Sequence, residues 1–144
     1  MNCELNAKSD SMDTTSALKP KVLIIDDDAT HRRLAQVIFE RNGFEVSIAH
    51  DGGEGVRQAL INPPAVVILD LMMEGLHGFE VCKMLRANSN MRHTAIIITS
   101  GKSYKTDVDK AIQLGADAYV VKPFLPKELL EIATLYMNLR ASQP

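Results

Sequence analysis

The chain has 144 residues, 46% of them hydrophobic and 24% charged, the size and balance of one globular domain. Sixteen Lys and Arg against eighteen Asp and Glu give a net charge of −2, which excludes nucleic-acid binding driven by overall charge. No apolar run approaches the roughly 18 residues of a membrane span, and the start lacks the basic-then-apolar order of a secretory signal. A reducing cytoplasm is therefore the expected compartment. A structural disulfide between Cys3 and Cys82 is not expected.

Residues 1–20 are rich in Ser, Thr, Asp, Asn and Lys without a periodic apolar face, which reads as a mobile tail, with Met12 an alternative start. The first apolar run is VLII (22–25). Leu34, Val37 and Ile38 then share a helical face that Asn42-Gly43 ends. FEVSIA (44–49) alternates, as suits a less buried edge strand, and Asp51 with Glu54 resembles a capping pair for a second helix stopped by Asn62-Pro63-Pro64. AVVIL (65–69) is followed by a third helical stripe, Val81, Cys82 and Leu85. AIIIT (95–99) is followed by Val108, Ala111 and Ile112, closed by Gly115. After AYVV (118–121), Pro126 starts a fifth helix with Leu129, Ile132, Ala133 and Tyr136 facing inward.

Four of the five runs are nearly continuous and β-branched, the pattern of parallel strands covered on both faces. Each gap holds one helix. Right-handed crossovers then give a three-layer α/β fold, a (βα)5 parallel sheet with helices on both sides. Ligands of such sheets sit outside the carboxyl ends of the strands.

Those ends carry the chemistry. The first run ends in Asp26-Asp27-Asp28, the third in Asp70, the fourth in Thr99-Ser100 and the fifth in Lys122-Pro123. Singly, each has an ordinary reading: Asp28 as the N-cap of a helix beginning near Thr30, Thr99 and Ser100 as caps of the next helix, Lys122 as a solvated charge. Together they put several carboxylates on one rim, and two carboxylates 4 Å apart repel by about 4 kcal/mol at an effective dielectric near 20. A cation relieves that repulsion. Oxygen-only ligands suit hydrated Mg²⁺, which shares its free positions with phosphate oxygens, while Thr99 supplies a hydroxyl and Lys122 a point charge for a phosphoryl group. No G-x-x-x-x-G-K-[ST] loop is present, so nucleoside triphosphate binding is not supported, and one carboxylate is free to act as nucleophile.

KVLIIDDDATHRR, VVILDLMMEGLHGFEVCKMLR, AIIITSGK and GADAYVVKPF, in that order, resemble a bacterial two-component response-regulator receiver domain, chemotaxis regulators included, over about residues 20–140. The resemblance implies a flavodoxin-like sheet of strand order 2-1-3-4-5, a receiver domain over 21–140 and a short C-terminal tail over 141–144. It implies that Asp70 accepts the phosphoryl group, and that Asp26, Asp27, Asp70 and the main-chain carbonyl of Met72 hold Mg²⁺. Lys122 would pair with Asp70 and then with the phosphoryl group. Thr99 would bond that group and Tyr119 would be the aromatic switch. The Lys122-Pro123 bond would be cis.

The partners implied are a histidine kinase or a His phosphotransfer protein, an undetermined downstream protein and a phosphorylation-dependent homodimer through the fourth-helix side. Neither direct nucleic-acid contact from this domain nor a membrane is implied. The chain departs from many relatives at Glu74, where they have Pro, and at His77, where they have Asp; loss of Pro loosens that loop, and Glu74 adds negative charge near the metal. Met72 and Gly101, at positions where relatives use polar side chains to influence water attack, imply slow self-dephosphorylation.

Two other readings compete. Asp26-Asp27-Asp28-Ala29-Thr30 fits the D-x-D-x-T motif of haloacid-dehalogenase-like phosphatases, with Asp26 as nucleophile and Asp28 as general acid, but Asp70 alone stands where that family needs a second acidic pair. An unphosphorylated interaction module with the same fold is the other. His31, His50, His77 and His93 lack metal-ligand spacing and read mostly as solvated. Arg32 and Arg33 read as a solvated face, and Cys82 as core filling. With only Ala141-Ser142-Gln143-Pro144 after the fifth helix, either a stand-alone receiver or one cut from a longer chain is expected.

Overall fold

The computed structural model describes residues 19–144; most of the segment read as a tail, with Met12 and Cys3, lies outside the described residues. The elements are β1 (Lys21–Ile25), α1 (Ala29–Glu40), β2 (Glu45–Ala49), α2 (Gly52–Ile61), β3 (Val66–Asp70), α3 (Gly78–Arg86), β4 (Ala95–Ser100), α4 (Lys105–Gln113), β5 (Ala118–Val121) and α5 (Pro126–Ala141), with a 3₁₀ turn at Ser89–Met91. All neighbouring strands pair in parallel, in the order β2-β1-β3-β4-β5. Pro20 already joins this sheet, because its carbonyl accepts from Glu45 N at 2.9 Å.

The period of two along each strand splits the core. Leu23, Ile25, Val67, Leu69, Ile96 and Ile98 meet Val56, Ala59, Val81, Cys82, Leu85 and Ala111 of α2, α3 and α4. Val22, Ile24, Val66, Ile68, Ala95 and Ile97 meet Ala35, Ile38 and Phe39 of α1 and Leu129 and Ala133 of α5. Every residue of β3 and β4 is buried, as continuous apolar runs require. Burial pushes the Cys82 thiol up to about 11, so it stays an uncharged core group.

Two helix faces differ from the sequence expectation. On α1 the inward stripe is Ala35, Ile38 and Phe39, and Leu34 stays half exposed. On α4 Ala111 is buried and Val108 partly so, while Ile112 points largely to solvent. A helix touches a sheet along a narrow stripe, so apolar neighbours of that stripe stay part exposed, and Leu34 borders a pocket over Ile24 and Ile68. Thr99 and Ser100 do not cap α4: β4 runs through Ser100 and Tyr104 precedes the helix. The Ser100 hydroxyl instead accepts from Lys102 N at 3.1 Å.

At the amino edge of the sheet Asp117 forms a closed ionic cluster. Its carboxylate takes bonds of 2.9 Å each from Arg86 Nη2, Arg140 Nε and Ile96 N. Arg86 also donates to the carbonyls of Gly115 (2.8 Å), Met91 (2.7 Å) and Thr94 (2.8 Å). Gly115 is required there twice over: its φ is +108°, and a Cβ would collide with the Arg86 side chain.

Candidate functional site

The carboxyl ends of β1, β3 and β4 converge where strand order reverses around β1. Asp26 and Asp70 have the parity of Ile24 and Ile68, and Thr99 that of Ile97, so these side chains rise on the α1/α5 side of the sheet. Thr99 lies directly across the ladder from Asp70. The ladder continues past β5, since Lys122 N donates to the Ser100 carbonyl at 2.7 Å, and this carries Lys122 to the same rim. The Lys122-Pro123 bond is cis.

Oxygens of Asp26, Asp27 and Asp70 all lie within 4.8 Å of one another. Asp26, Asp70 and Thr99 are buried and Asp27 is exposed. Lys122 Nζ stands 3.3 Å from Asp26 Oδ2 and 3.3 Å from Asp70 Oδ1. Burial, and then the Asp26 charge, raise the Asp70 carboxyl above its ordinary value, with Lys122 opposing them. Three carboxylates facing one ammonium leave the rim short of positive charge. A compact all-oxygen donor set with such a deficit fits a hard divalent ion such as Mg²⁺. Met72, two residues beyond Asp70, is half exposed in the following loop.

That loop is tied down by its unusual residues. The main-chain N–H of Glu74 donates to Asp27 Oδ2 at 3.2 Å, a bond that proline cannot make, so the loosening expected from its absence is offset. His77 is no solvated bystander: its Nδ1 accepts from Phe79 N at 3.1 Å and caps α3. Gly78 lets α3 begin against the end of β3, where a Cβ would sit 2.8 Å from the Asp70 carbonyl.

Other expected residues take definite places. Asp28 caps α1 by accepting from His31 N at 2.9 Å, and this bond holds its carboxyl below the usual range. The general acid of a D-x-D-x-T reading is thus committed to the helix. Tyr119 is half-buried, and its hydroxyl donates to the Lys102 carbonyl at 2.7 Å in the loop between β4 and α4. Sequence reasoning missed two side chains. Arg32, read as solvated, donates to the Asp26 carbonyl at 2.9 Å, and His31 Nδ1 lies 3.0 Å from Lys122 Nζ. Their position on the first turns of a helix that starts from the acidic rim is the signal that points to them. Beside them a pocket of about 340 Å³ is walled by Ile24, Leu34, Ile68 and Phe124.

The chain belongs to the response regulator receiver domain family, whose profile matches residues 22–134. This defines a signalling domain of two-component systems rather than a metabolic enzyme. It is 34% identical over 119 residues to the "DNA-binding response regulator MtrA" of Mycobacterium tuberculosis, an alignment covering 83% of this chain and 50% of that protein. It is 37% identical over 112 residues to the "Alkaline phosphatase synthesis transcriptional regulatory protein PhoP" of Bacillus subtilis, covering 78% of this chain and 46% of that one. The chain thus spans about half the length of these curated relatives. Among solved structures, the chemotaxis protein CheY4 of Vibrio cholerae superposes with a TM-score of 0.78 at 30% identity, over 82% of this chain and 98% of that one. The Francisella response regulator 1452 receiver domain gives 0.78 at 31%, over 84% and 98%. Neither the phosphatase nor the unphosphorylated module gains support from these relatives.

Proposed function

We propose that this receiver is a phosphoacceptor switch in which Asp70 takes a phosphoryl group from a histidine kinase or a His phosphotransfer protein. The observation that carries this reading is the close trio Asp26, Asp27 and Asp70, with Lys122 between Asp26 and Asp70 and Thr99 across the ladder from Asp70. An Asp70 oxygen forms the new O–P bond as the donor imidazole–phosphorus bond breaks, and the imidazole leaves with the bonding pair. Asp26, Asp27, Asp70 and the Met72 carbonyl would hold Mg²⁺, which supplies charge neutralisation for the transferring group. Lys122 then turns from the carboxylates to the phosphoryl oxygens, and the Thr99 hydroxyl donates to one of them.

The inward pull on Thr99 is passed to the loop whose Lys102 carbonyl Tyr119 holds, and Tyr119 changes rotamer. The surface of α4, β5 and α5, where Tyr104, Ile112, Val121 and Leu125 are exposed, then changes its affinity for a downstream protein or a second copy. We assign this domain no nucleic-acid contact of its own, in keeping with its charge of −2. We place it in the cytoplasm: no helix among the described residues is long and apolar enough to cross a membrane. Residues 21–140, which contain the matched span 22–134, act as one unit. Met72 and Gly101 offer water no polar side chain near the acyl phosphate, so the phospho-form persists, and decay within seconds contradicts this.

Intact-protein mass spectrometry after incubation with acetyl phosphate and Mg²⁺ tests the reading. One phosphoryl group on the wild type, absent without Mg²⁺ and in Asp70→Asn, is expected. Labelling of Asp70→Asn overturns it.

A further inference from the structure

We infer that His31 is a positioning residue that draws the Lys122 ammonium away from Asp26 and Asp70 and so keeps the carboxylate trio open to a divalent cation. The inference rests on the phosphoacceptor reading and adds to it a residue outside the acidic, Thr and Lys set.

The geometry is uneven in an instructive way. Lys122 Nζ is 3.0 Å from His31 Nδ1 but 3.3 Å from both Asp26 Oδ2 and Asp70 Oδ1. Charge-assisted bonds from an ammonium to a carboxylate ordinarily close to about 2.7–2.9 Å. Here an imidazole nitrogen, which brings no negative charge, holds the shortest contact and the two carboxylates the longer ones. An ammonium has three hydrogens and no lone pair, so Nδ1 is the acceptor and the ring hydrogen sits on Nε2. The three N–H groups are then fully used, one of them on a partner that contributes no negative charge.

His31 is itself fixed. Its main-chain N–H is the one that Asp28 accepts in capping α1, and its side chain stays half exposed, with Asp28 Oδ1 4.0 Å from Nδ1. The cap of α1 fixes the His31 main chain in the first turn of the helix, and from there the imidazole reaches Lys122, joining two segments 91 residues apart. Without that acceptor, the third N–H has no reason to stay off the carboxylates, and the ammonium moves into closer pairing with Asp70 and Asp26. Closer pairing competes with a divalent ion for the same oxygens.

The test compares wild type, His31→Ala and His31→Asn by calorimetric titration with Mg²⁺, alongside the ¹⁵N shift of the Lys122 amine in metal-free protein. The Asn oxygen stands at the same reach from Cβ as Nδ1 and restores the acceptor. His31→Ala is expected to bind Mg²⁺ about tenfold more weakly, the usual effect of removing a group that orients a metal site, and to move the amine signal. His31→Asn is expected to return both to wild-type values. Equal affinity in wild type and His31→Ala, or no recovery in His31→Asn, overturns the role of His31 while leaving the phosphoacceptor reading intact. If wild type binds no Mg²⁺ and takes no phosphoryl group from acetyl phosphate, that reading falls and this inference with it.

Discussion

The two edges of the sheet handle charge in opposite ways. At the amino edge one carboxylate, Asp117, meets two guanidinium groups and a main-chain N–H, all at 2.9 Å, and the spare hydrogens of Arg86 end on three carbonyls. At the carboxyl edge three carboxylates meet one ammonium, and its ion pairs are stretched to 3.3 Å. The Asp117 cluster is largely withdrawn from water, and so are Asp26, Asp70 and Lys122, while Asp27 is exposed. Burial lowers Arg86 at one edge, against the pull of Asp117, and raises Asp70 at the other. A buried charge costs little when its partners are complete and much when they are not. The satisfied edge ties α3, β4 and α5 together, and the unsatisfied edge is left to be completed from outside.

Breaking the complete cluster gives the largest effect. Asp117→Ala strands two guanidinium groups in a poorly hydrated place and is expected to cost about 3–5 kcal/mol, read from the urea midpoint at unchanged slope. A loss below about 1 kcal/mol would mean that the cluster is only peripheral. Next comes completing the open cluster. Mg²⁺ at a hundredfold excess over its dissociation constant is expected to stabilise the wild type by about 2.7 kcal/mol. Because the two edges share no partners, Asp117→Ala should gain the same increment.

Removing one charge from the open edge is a smaller change. The Asp70 carboxyl is raised above 3.8 in the fold, so between these values the folded protein holds a proton that the unfolded chain has released. Stability therefore falls as pH rises through the raised value, and the full penalty remains above it. Without metal, Asp70→Asn is expected to be more stable than the wild type at pH 7, read as a higher Tm, and the advantage should vanish as pH falls to about 3.8. An advantage that stays constant with pH would argue against an electrostatic origin. The smallest effect is at the cap of α3. His77→Asp keeps an acceptor for Phe79 N and adds a charge favoured at a helix N-terminus, for a gain of about 0.5 kcal/mol in thermal unfolding.

The fold was legible because each strand announces itself. Runs such as VVIL and IIIT are short and rich in β-branched residues, which favours a strand covered on both sides, and Gly43 and Gly115, with φ of +86° and +108°, mark helix ends where only glycine sits easily. The faces of α1 and α4 were less legible, since Leu34, at the wall of the pocket over Ile24 and Ile68, and Ile112 continue an apolar stripe yet stay about half exposed. At the carboxyl edge the strand ends named the acids, Thr99 and Lys122, and parity alone puts Asp26, Asp70 and Thr99 on one side.

What the sequence withheld is contact between distant segments. The bond from Lys122 to His31, that from Glu74 N to Asp27, and the three bonds that Asp117 accepts join residues at least 21 positions apart, and no local pattern encodes them. Glu74 carries a further lesson. Its side chain reads as added negative charge, yet its structural contribution is a main-chain hydrogen that any residue except proline would bring.

The account turns on which carboxylate at the open edge becomes the acyl phosphate. Wild-type protein phosphorylated with acetyl phosphate and Mg²⁺, then reduced with borohydride and mapped by tandem mass spectrometry, converts the phosphorylated aspartate to homoserine. Homoserine at position 70 alone is the predicted result. Homoserine at position 26 would contradict it, and would make the first aspartate of the D-x-D-x-T motif, rather than the end of β3, the nucleophile.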